Sequence, residues 1–207
     1  MRQADRPALL GGDGVEAAVR ALAKGAVVGV PTDTVYGLAA CLERPAIDRV
    51  FAAKGRPSDL ALPVLIGGLD QLGQVATSFP AVAAALATRF WPGPLTLVVR
   101  ARRAVGSLVG GDGRTVGVRW PNHPLIEELC LLAGPLATTS ANRHGQPPAA
   151  TAAEIVENFG ASEVTLVLDG GPCEGSVSTV VDCAGRRPRC LREGALSWEL
   201  VQSVVSA

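Results

Sequence analysis

Four segments of the chain place hydrogen-bond donors beside a strand end, a glycine or a proline. They are PTDTVYGL (31–38), KGRP (54–57), TTSANRHG (138–145) and SVSTVVD (176–182), the last followed by Arg192. Arginine suits phosphate and carboxylate groups because its planar guanidinium can donate two parallel hydrogen bonds. Ligands gather outside the carboxyl ends of strands in open α/β sheets, so hydroxyls that follow a strand are placed where a substrate would bind.

Three of these segments also have a purely structural interpretation. The first equally fits a threonine-capped turn in which Asp33 bonds the local backbone. Lys54 and Arg56 lie near the predicted end of a helix, where such residues ordinarily form a solvated cap. The third could be a polar loop, although every residue up to Asn142 is small enough for a ligand to approach the backbone.

The sequence lacks the common nucleotide-binding and hydrolase motifs. Lys24 and Lys54 each follow an alanine, so neither can be the lysine of a P-loop. The glycine clusters at 11–14 and 110–113 do not complete GxGxxG, and both predict turns. No GxSxG motif is present, and two histidines 21 positions apart exclude HExxH. A nucleotide would have to be bound by another arrangement.

The composition excludes some classes of protein function. The formal net charge is zero, from 19 basic and 19 acidic residues, which argues against a whole-chain attraction to nucleic acid. Of the basic residues, 17 are arginine. No apolar stretch is long enough to span a membrane, and the first residues do not resemble a secretory signal. We therefore expect a cytoplasmic protein without a membrane partner.

The five cysteines predict no disulfide framework. They form no CxxC pair, and an odd number cannot be fully paired within one chain. We expect reduced thiols, mostly small core residues, in Cys41, Cys130, Cys173, Cys183 and Cys190. A zinc site would have to collect ligands from distant segments, and the sequence predicts none.

The order of the predicted elements favours an α/β or α+β domain with a mixed, twisted sheet. Hydrophobic periodicity predicts helices at 14–22, 45–54, 80–90, 123–133, 152–159 and 197–204. Short apolar runs predict strands at 26–30, 62–66, 95–99, 115–119, 136–140, 164–168, 177–182 and 189–192. A length of 207 residues predicts one domain, 1–207, with a core of about 14–196.

Taken together and in this order, the motifs resemble the YrdC-type family of threonylcarbamoyl-AMP synthases. The most specific are KxR (Lys54-Gly55-Arg56) and SxN (Ser140-Ala141-Asn142). The others are PTDTVYGL (31–38), WPGPLTLVV (91–99), VGVRWP (116–121), TTSANRHGQPP (138–148) and STVVD (178–182). The resemblance covers the chain from about residue 14 to residue 196, and it implies the short form of the family, without an extra C-terminal domain.

The resemblance implies a twisted open sheet around a basic concave cavity and a reaction of L-threonine, bicarbonate and ATP, normally with Mg²⁺. The products are threonylcarbamoyl-adenylate and pyrophosphate, the first step of the threonylcarbamoyladenosine modification of tRNA, completed by a downstream transferase. By position, the implied L-threonine site consists of Thr32, Tyr36, Arg119, Ser140 and Ser178. The implied ATP site consists of Lys54, Arg56, Thr115, Asn142 and Arg192. Lys54, Arg56, Ser140 and Asn142 are the implied catalytic residues.

Two positions and one three-residue segment depart from the family pattern. Leu60 and Leu65 stand where polar residues are common, and Pro148-Ala149-Ala150 replaces a tail that usually contains a hydroxyl. Because the KxR and SxN motifs are intact, we expect activity, with substrate binding or specificity altered.

Two alternative functions fit the same residues. One is a non-enzymatic RNA-binding or ribosome-maturation factor, which would use Arg100, Arg102, Arg103 and Arg114 to bind tRNA or other double-stranded RNA. The other is a paralogue that handles a different carbamoyl adenylate, as the related domain of hydrogenase maturation proteins does.

Overall fold

The computed structural model describes residues 5–55, 60–173 and 176–205. The strands are β1 Ala8–Leu10, β2 Val28–Val30, β3 Gly37–Cys41, β4 Val64–Leu65, β5 Leu95–Arg100, β6 Thr115–Arg119, β7 Leu136–Ser140, β8 Leu166–Leu168, β9 Thr179–Asp182 and β10 Arg189–Arg192. The α-helices are α1 Val15–Leu22, α2 Arg44–Lys54, α3 Leu72–Val75, α4 Ala81–Phe90, α5 Arg103–Val109, α6 Pro124–Ala133, α7 Ala152–Asn158 and α8 Trp198–Val205. Two short 3₁₀ turns, Gly12–Gly14 and Leu69–Gln71, lead into α1 and α3.

The ten strands form one mixed sheet in the order β1-β8-β2-β3-β7-β4-β6-β5-β9-β10. The pairs β1–β8, β2–β8, β4–β6 and β5–β9 are parallel. The remaining five pairs are antiparallel. This confirms the mixed sheet that the run of three strands in the last third of the sequence predicts.

One face of the sheet is only half covered by helices. Helices α1 and α6 pack on the half that contains β2 and β3, in an apolar cluster with Ala39 and Leu65. Leu65 pairs with both Leu136 and Arg119, so these three residues point to the same face. Beyond β4, this face carries polar and small side chains instead of a helix, which leaves space for a cavity.

The opposite face is covered by a larger apolar cluster that includes helix α2. The buried positions of α2 are Ala46, Ile47, Val50, Ala53 and Lys54, which form one stripe along the helix. Burying Ile47 and Val50 stabilises the fold by about 1.5–3 kcal/mol each. Because Lys54 belongs to the buried stripe, packing of α2 carries its ammonium group inward, and Gly55 at φ +64° ends the helix directly after it.

Four elements, β1, β3, α3 and α5, were missing from the sequence prediction, and the reason can be identified for β3 and α5. Strand β3, GLAAC, has no β-branched residue, and its Gly37 is required because a Cβ there would lie 2.7 Å from Thr138 Cγ2. Helix α5 contains Gly106, where a Cβ would lie 2.2 Å from the carbonyl oxygen of Gly113. In both elements a glycine weakens the hydrophobic pattern that would predict the element, and the same glycine permits a close tertiary contact.

We expect stability to depend on pH through His123. Its Nδ1 accepts the backbone N–H of Leu125 at 3.3 Å and caps α6. Burial lowers the pKa of His123 below its usual 6.5, against a hydrogen bond to the Gly170 backbone and the charge of Asp33. Below pH 6.5 the unfolded chain therefore binds more protons than the folded chain, and stability falls as pH falls toward the folded-state pKa.

The variant His123→Asn keeps a capping acceptor that does not titrate. Urea unfolding from pH 7.5 to 5.0 should show a smaller stability loss in this variant than in the wild type. Equal losses in the two proteins would contradict the role given to His123.

Candidate functional site

A cavity of about 520 Å³, which we call the sheet cavity, occupies the open half of the sheet. Its polar lining is Thr32, Thr34, Tyr36, Thr96, Arg119, Thr138, Thr139, Ser140, Ser178 and Arg192. Its other lining residues are Val35, Gly37, Leu60, Ala61, Leu62, Pro63, Leu65, Val98, Gly117, Val177, Val180 and Leu191. Six residues of the sequence-based site thus lie on one cavity, although they come from distant parts of the chain.

A second cavity of about 520 Å³ lies beside α1 and is lined in part by Arg20, Lys24 and Arg49. Arg20 lies 3.3 Å from Glu16, one turn earlier, and Arg49 donates to the Gly25 carbonyl at 2.5 Å. These contacts are typical of cations at the end of a helix. The sheet cavity is lined by residues from the polar segments identified in the sequence analysis. We therefore take it as the candidate site.

Arg119 forms the buried cationic centre of the sheet cavity. Its residue is 6% exposed, and its three nitrogens have separate partners. Nε donates to the Gly93 carbonyl at 3.0 Å, Nη1 to Thr34 Oγ1 at 2.9 Å and Nη2 to Asp33 Oδ1 at 2.5 Å. Of five guanidinium N–H groups, two remain for a ligand. Asp33 pairs with Arg119 and not with the local backbone, so that part of the turn interpretation is wrong.

Two guanidinium groups act on each other in this cavity. Burial lowers the pKa of Arg119, Asp33 opposes that change, and the positive charge of Arg192 lowers the pKa further. An arginine stays protonated despite such shifts. The site therefore holds two cations close together, which a bound anion would stabilise.

The loop before β3 is fixed by its own hydroxyls. Thr32 Oγ1 accepts the N–H groups of Thr34 and Val35 at 3.1 and 3.2 Å and donates to the Val35 carbonyl at 2.6 Å. These bonds use the full capacity of that hydroxyl. The threonine-capped turn is therefore present, and it holds Thr34 in place for Arg119. Thr32 lines the cavity but acts mainly by shaping the loop.

A β-bulge brings Arg192 to the cavity. Cys190 pairs with Val181 and Arg192 with Val180, so Leu191 is an extra residue in β10. Without it, Arg192 would face the other side of the sheet, because successive strand residues alternate. Val180 lines the sheet cavity, and Arg192 shares its face. The bulge thus determines where this cation points.

Ser178 anchors the guanidinium of Arg192. Arg192 Nη2 donates to the Ser178 carbonyl at 2.8 Å and lies 3.1 Å from Ser178 Oγ. The same hydroxyl lies 2.9 Å from Thr96 Oγ1. Gly194 makes this approach possible, because a Cβ there would lie 2.2 Å from the Val177 carbonyl oxygen. Thr96 is a site residue that sequence reasoning missed, although it lies in WPGPLTLVV.

The KxR and SxN motifs meet at the ammonium group of Lys54. Its residue is 3% exposed, and Nζ donates to the Ser140 carbonyl at 2.6 Å, to Ser140 Oγ at 3.0 Å and to Asn142 Oδ1. Ser140 Oγ also donates to Asn142 Oδ1 at 2.7 Å. Ser140 lines the sheet cavity, whereas Lys54 and Asn142 are not among its lining residues and lie behind Ser140. The interpretation of Lys54 as a solvated helix cap is wrong.

Besides Lys54 and Asn142, three predicted residues have positions or surroundings that differ from the expected site. Arg56 lies outside the described residues. Thr115 is not among the residues that line the sheet cavity, and its hydroxyl donates to Asp112 Oδ1 at 2.9 Å. Tyr36 lines the cavity, but its hydroxyl donates to the Gly171 carbonyl at 2.8 Å. Burial raises the pKa of Tyr36 to about 12, so this hydroxyl stays protonated.

Apolar side chains form another part of the cavity wall. Leu60 and Leu191 are 42% and 56% exposed, and Val98 and Val180 lie on the same sheet face. Leu65 is buried in the cluster under α1 and α6. A flat apolar group could pack against Leu60 and Leu191 while its polar substituents reach the cations.

The described residues contain no group of three His, Cys, Asp or Glu side chains that could hold a metal ion. Mg²⁺ at ATP sites is bound largely by substrate phosphates and water. A resident, protein-only magnesium site therefore does not fit the described part of this cavity. In the same residues, no helix is long and apolar enough to cross a membrane.

Comparison with known proteins gives consistent matches. The Sua5/YciO/YrdC family model, described as "Telomere recombination", matches residues 20–194. A threonylcarbamoyl-AMP synthase of Pyrococcus abyssi is 40% identical over 185 residues, which cover 88% of this chain. A protein of Mycobacterium tuberculosis named putative threonylcarbamoyl-AMP synthase is 38% identical over 194 residues, covering 93% of this chain. The matches cover 54% of the Pyrococcus relative and 89% of the mycobacterial one.

A solved structure extends the likeness to three dimensions. The crystal structure of P. abyssi Sua5 complexed with L-threonine superposes with a TM-score of 0.90 at 36% identity. The superposition covers 96% of this chain and 60% of the Sua5 chain. With a family match across most of its length and this agreement in fold, the chain belongs to the Sua5/YciO/YrdC family.

Proposed function

We propose that this chain is an L-threonylcarbamoyl-AMP synthase, which forms threonylcarbamoyl-adenylate and pyrophosphate from L-threonine, bicarbonate and ATP. The observation that carries the proposal is that Arg119 and Arg192 lie on one hydroxyl-lined cavity, with Lys54 bonded to Ser140 of its wall. The names of the relatives and the L-threonine bound to the P. abyssi protein support it.

The proposed chemistry explains why cations dominate the site. The threonine amine first combines with bicarbonate, releasing water and forming a carbamate. A carbamate oxygen then attacks the α-phosphorus of ATP, and the bond to pyrophosphate breaks. Carboxylate, carbamate and triphosphate repel one another, so the site must hold three anions together. Fixed cations and donors reduce that repulsion through positioning and electrostatic stabilisation.

L-Threonine fits the part of the cavity around Arg119. A carboxylate can accept the two guanidinium N–H groups that Gly93, Thr34 and Asp33 leave available. Ser140 and Ser178 lie on the same cavity and can bind the amine or the hydroxyl of the substrate. Tyr36 and Thr32 support this region by fixing the loops around it.

ATP fits the part of the cavity between the Lys54 cluster and Arg192. Arg192 can bind phosphate oxygens, and Lys54, whose three N–H groups bond Ser140 and Asn142, supplies a fixed positive charge behind Ser140. The adenine ring can pack against Leu60 and Leu191. Mg²⁺ would arrive with the triphosphate, where it would neutralise negative charge. The resemblance assigns further phosphate contacts to Arg56, which lies outside the described residues, while Thr115 gains no support from its hydrogen bond to Asp112.

The first test is the reaction itself. Purified protein should release pyrophosphate from ATP only when L-threonine and bicarbonate are both present. Product should be identified as threonylcarbamoyl-adenylate by mass spectrometry. No release, in an assay where a known short-form synthase is active, would overturn the proposal. Carbamoyl phosphate in place of L-threonine tests the alternative substrate, and RNA binding with a steep salt dependence tests the non-enzymatic alternative.

The variant Lys54→Met should lower kcat/KM by about 10²- to 10³-fold, because it removes a fixed donor while keeping most of the side-chain volume. Steady-state kinetics and circular dichroism would measure activity and folding. Lys24, the chain's other lysine, is exposed and provides the matched control Lys24→Met, with unchanged kinetics expected. A folded Lys54→Met protein with wild-type kinetics would contradict the role of Lys54.

The variant Asp33→Asn should raise KM for L-threonine by about 10- to 100-fold. It weakens a charge-assisted hydrogen bond to Arg119, worth about 1.5–3 kcal/mol. KM for ATP should change much less. Asp182→Asn is the control because it weakens the comparable pair with Arg189, whose side chain is 73% exposed. Equal effects of the two substitutions on KM for L-threonine would count against a substrate-orienting role for Asp33.

A further inference from the structure

Arg143, the residue after the SxN motif, joins three separate parts of the fold. Nη1 donates to the Ala53 carbonyl of α2 at 2.7 Å and to Glu163 Oε1 at 2.6 Å. Nη2 donates to Glu163 Oε2 at 2.8 Å and to the Asn158 carbonyl of α7 at 3.2 Å. The guanidinium carbon also lies 4.6 Å from the ring centroid of Phe159. These contacts hold the guanidinium in a single orientation.

The same contacts hold the loop after β7 against the end of α2. Arg143 bonds the carbonyl of Ala53, and the His144 N–H donates to the carbonyl of Lys54 at 2.9 Å. Asn142 Nδ2 donates to the Arg143 carbonyl at 3.0 Å. The loop and the helix end carry the two side chains that meet at Lys54 Nζ. A shift of Arg143 would therefore move Asn142 relative to Lys54.

Glu163 holds Arg143 from the other side. The hydrogen bond from Arg143 lowers the pKa of Glu163, and the paired carboxylate raises the pKa of Arg143. Glu163 Oε2 also accepts the Gly160 N–H at 3.0 Å. The two side chains are 43% and 32% exposed, and an ion pair in such a setting contributes little to stability. We therefore expect this ion pair to act mainly by fixing the orientation of Arg143, and not by raising the free energy of unfolding.

We propose that Arg143, held by Glu163 and Phe159, is a positioning residue that fixes Lys54 and Asn142 in the geometry that binds ATP. Arg143 acts through the backbone of Ala53 and its own carbonyl, and it need not touch a substrate. The kinetic part of this proposal rests on the proposed function, whereas the fixed position of Lys54 can be tested without any activity.

The direct test measures how fast the Lys54 amine reacts with acetic anhydride, followed by peptide mass spectrometry. The chain has only two lysines, so exposed Lys24 is an internal reference in every sample. Arg143→Met should raise the Lys54:Lys24 labelling ratio at least fivefold, and Arg143→Lys should show a smaller increase. Glu163→Gln should act in the same direction as Arg143→Met. An unchanged ratio in Arg143→Met would overturn the proposal.

Two controls separate positioning from general destabilisation. Glu16→Gln disrupts the exposed Arg20–Glu16 pair and should leave both labelling and activity unchanged. Leu86→Ala removes buried volume in α4, and the sample temperature can be chosen so that it and Arg143→Met are equally far below their Tm values. If Leu86→Ala raises the labelling ratio as much as Arg143→Met does, the proposal fails.

Kinetics supply the second readout. Arg143→Met and Glu163→Gln should raise KM for ATP by about 10- to 100-fold, the range typical when an outer residue that orients a ligand-binding group is lost. KM for L-threonine should stay within about twofold, and Arg143→Lys should restore part of the loss. Increased labelling with an unchanged KM for ATP would overturn the link to ATP. An inactive wild type would refute the proposed function but leave the labelling result valid.

Discussion

The site depends on keeping cations buried or half-buried at fixed positions without a ligand. A buried cation is strongly disfavoured unless oxygens replace its lost hydration. Arg119 obtains those oxygens from Gly93, Thr34 and Asp33, and Lys54 obtains them from Ser140 and Asn142. Their partners come from different elements, so the cations are in place only when the whole sheet is assembled. Folding thus orders these donors, and substrate binding need not do so.

One sheet face is covered by helices over only half of its area, and the uncovered half leaves room for a ligand. Helices α1 and α6 cover the half that includes β2 and β3, where the residues are apolar. Across β6 and β5, the same face presents Arg119, Gly117 and Thr96. A helix packed there would leave the two remaining N–H groups of Arg119 without partners. The polarity of these positions therefore prevents closure, and the covered opposite face provides the rigidity.

Local sequence patterns predict most of the helices and strands, but they do not predict the side-chain contacts between these elements. The predicted strands at 115–119, 136–140 and 189–192 coincide with β6, β7 and β10, because each has clear boundaries in its residue types. The sequence cannot distinguish a local turn at Asp33 from a site residue, because the partner of Asp33 lies 86 positions away. Thr115 was placed at the ATP site by resemblance, yet Asp112, three residues earlier, accepts its hydroxyl hydrogen. The bulge at Leu191 left no signal at all in the hydrophobic pattern.

The two arginines of the cavity differ in how freely they can adapt to a ligand. Arg119 lies on β6, inside the sheet, and its side chain is 7% exposed. Arg192 lies at a bulge in β10, the last strand in the sheet order, and its residue is exposed. Edge strands and bulges tolerate local movement because fewer neighbours constrain them. Under the proposed function, Arg119 should determine the shape of the anionic group it accepts, whereas Arg192, held by Ser178 but on an edge strand, has more room to adjust to a phosphate group. A fixed donor suits the amino acid, which keeps its carboxylate throughout, and an adaptable one suits the group whose bonds rearrange.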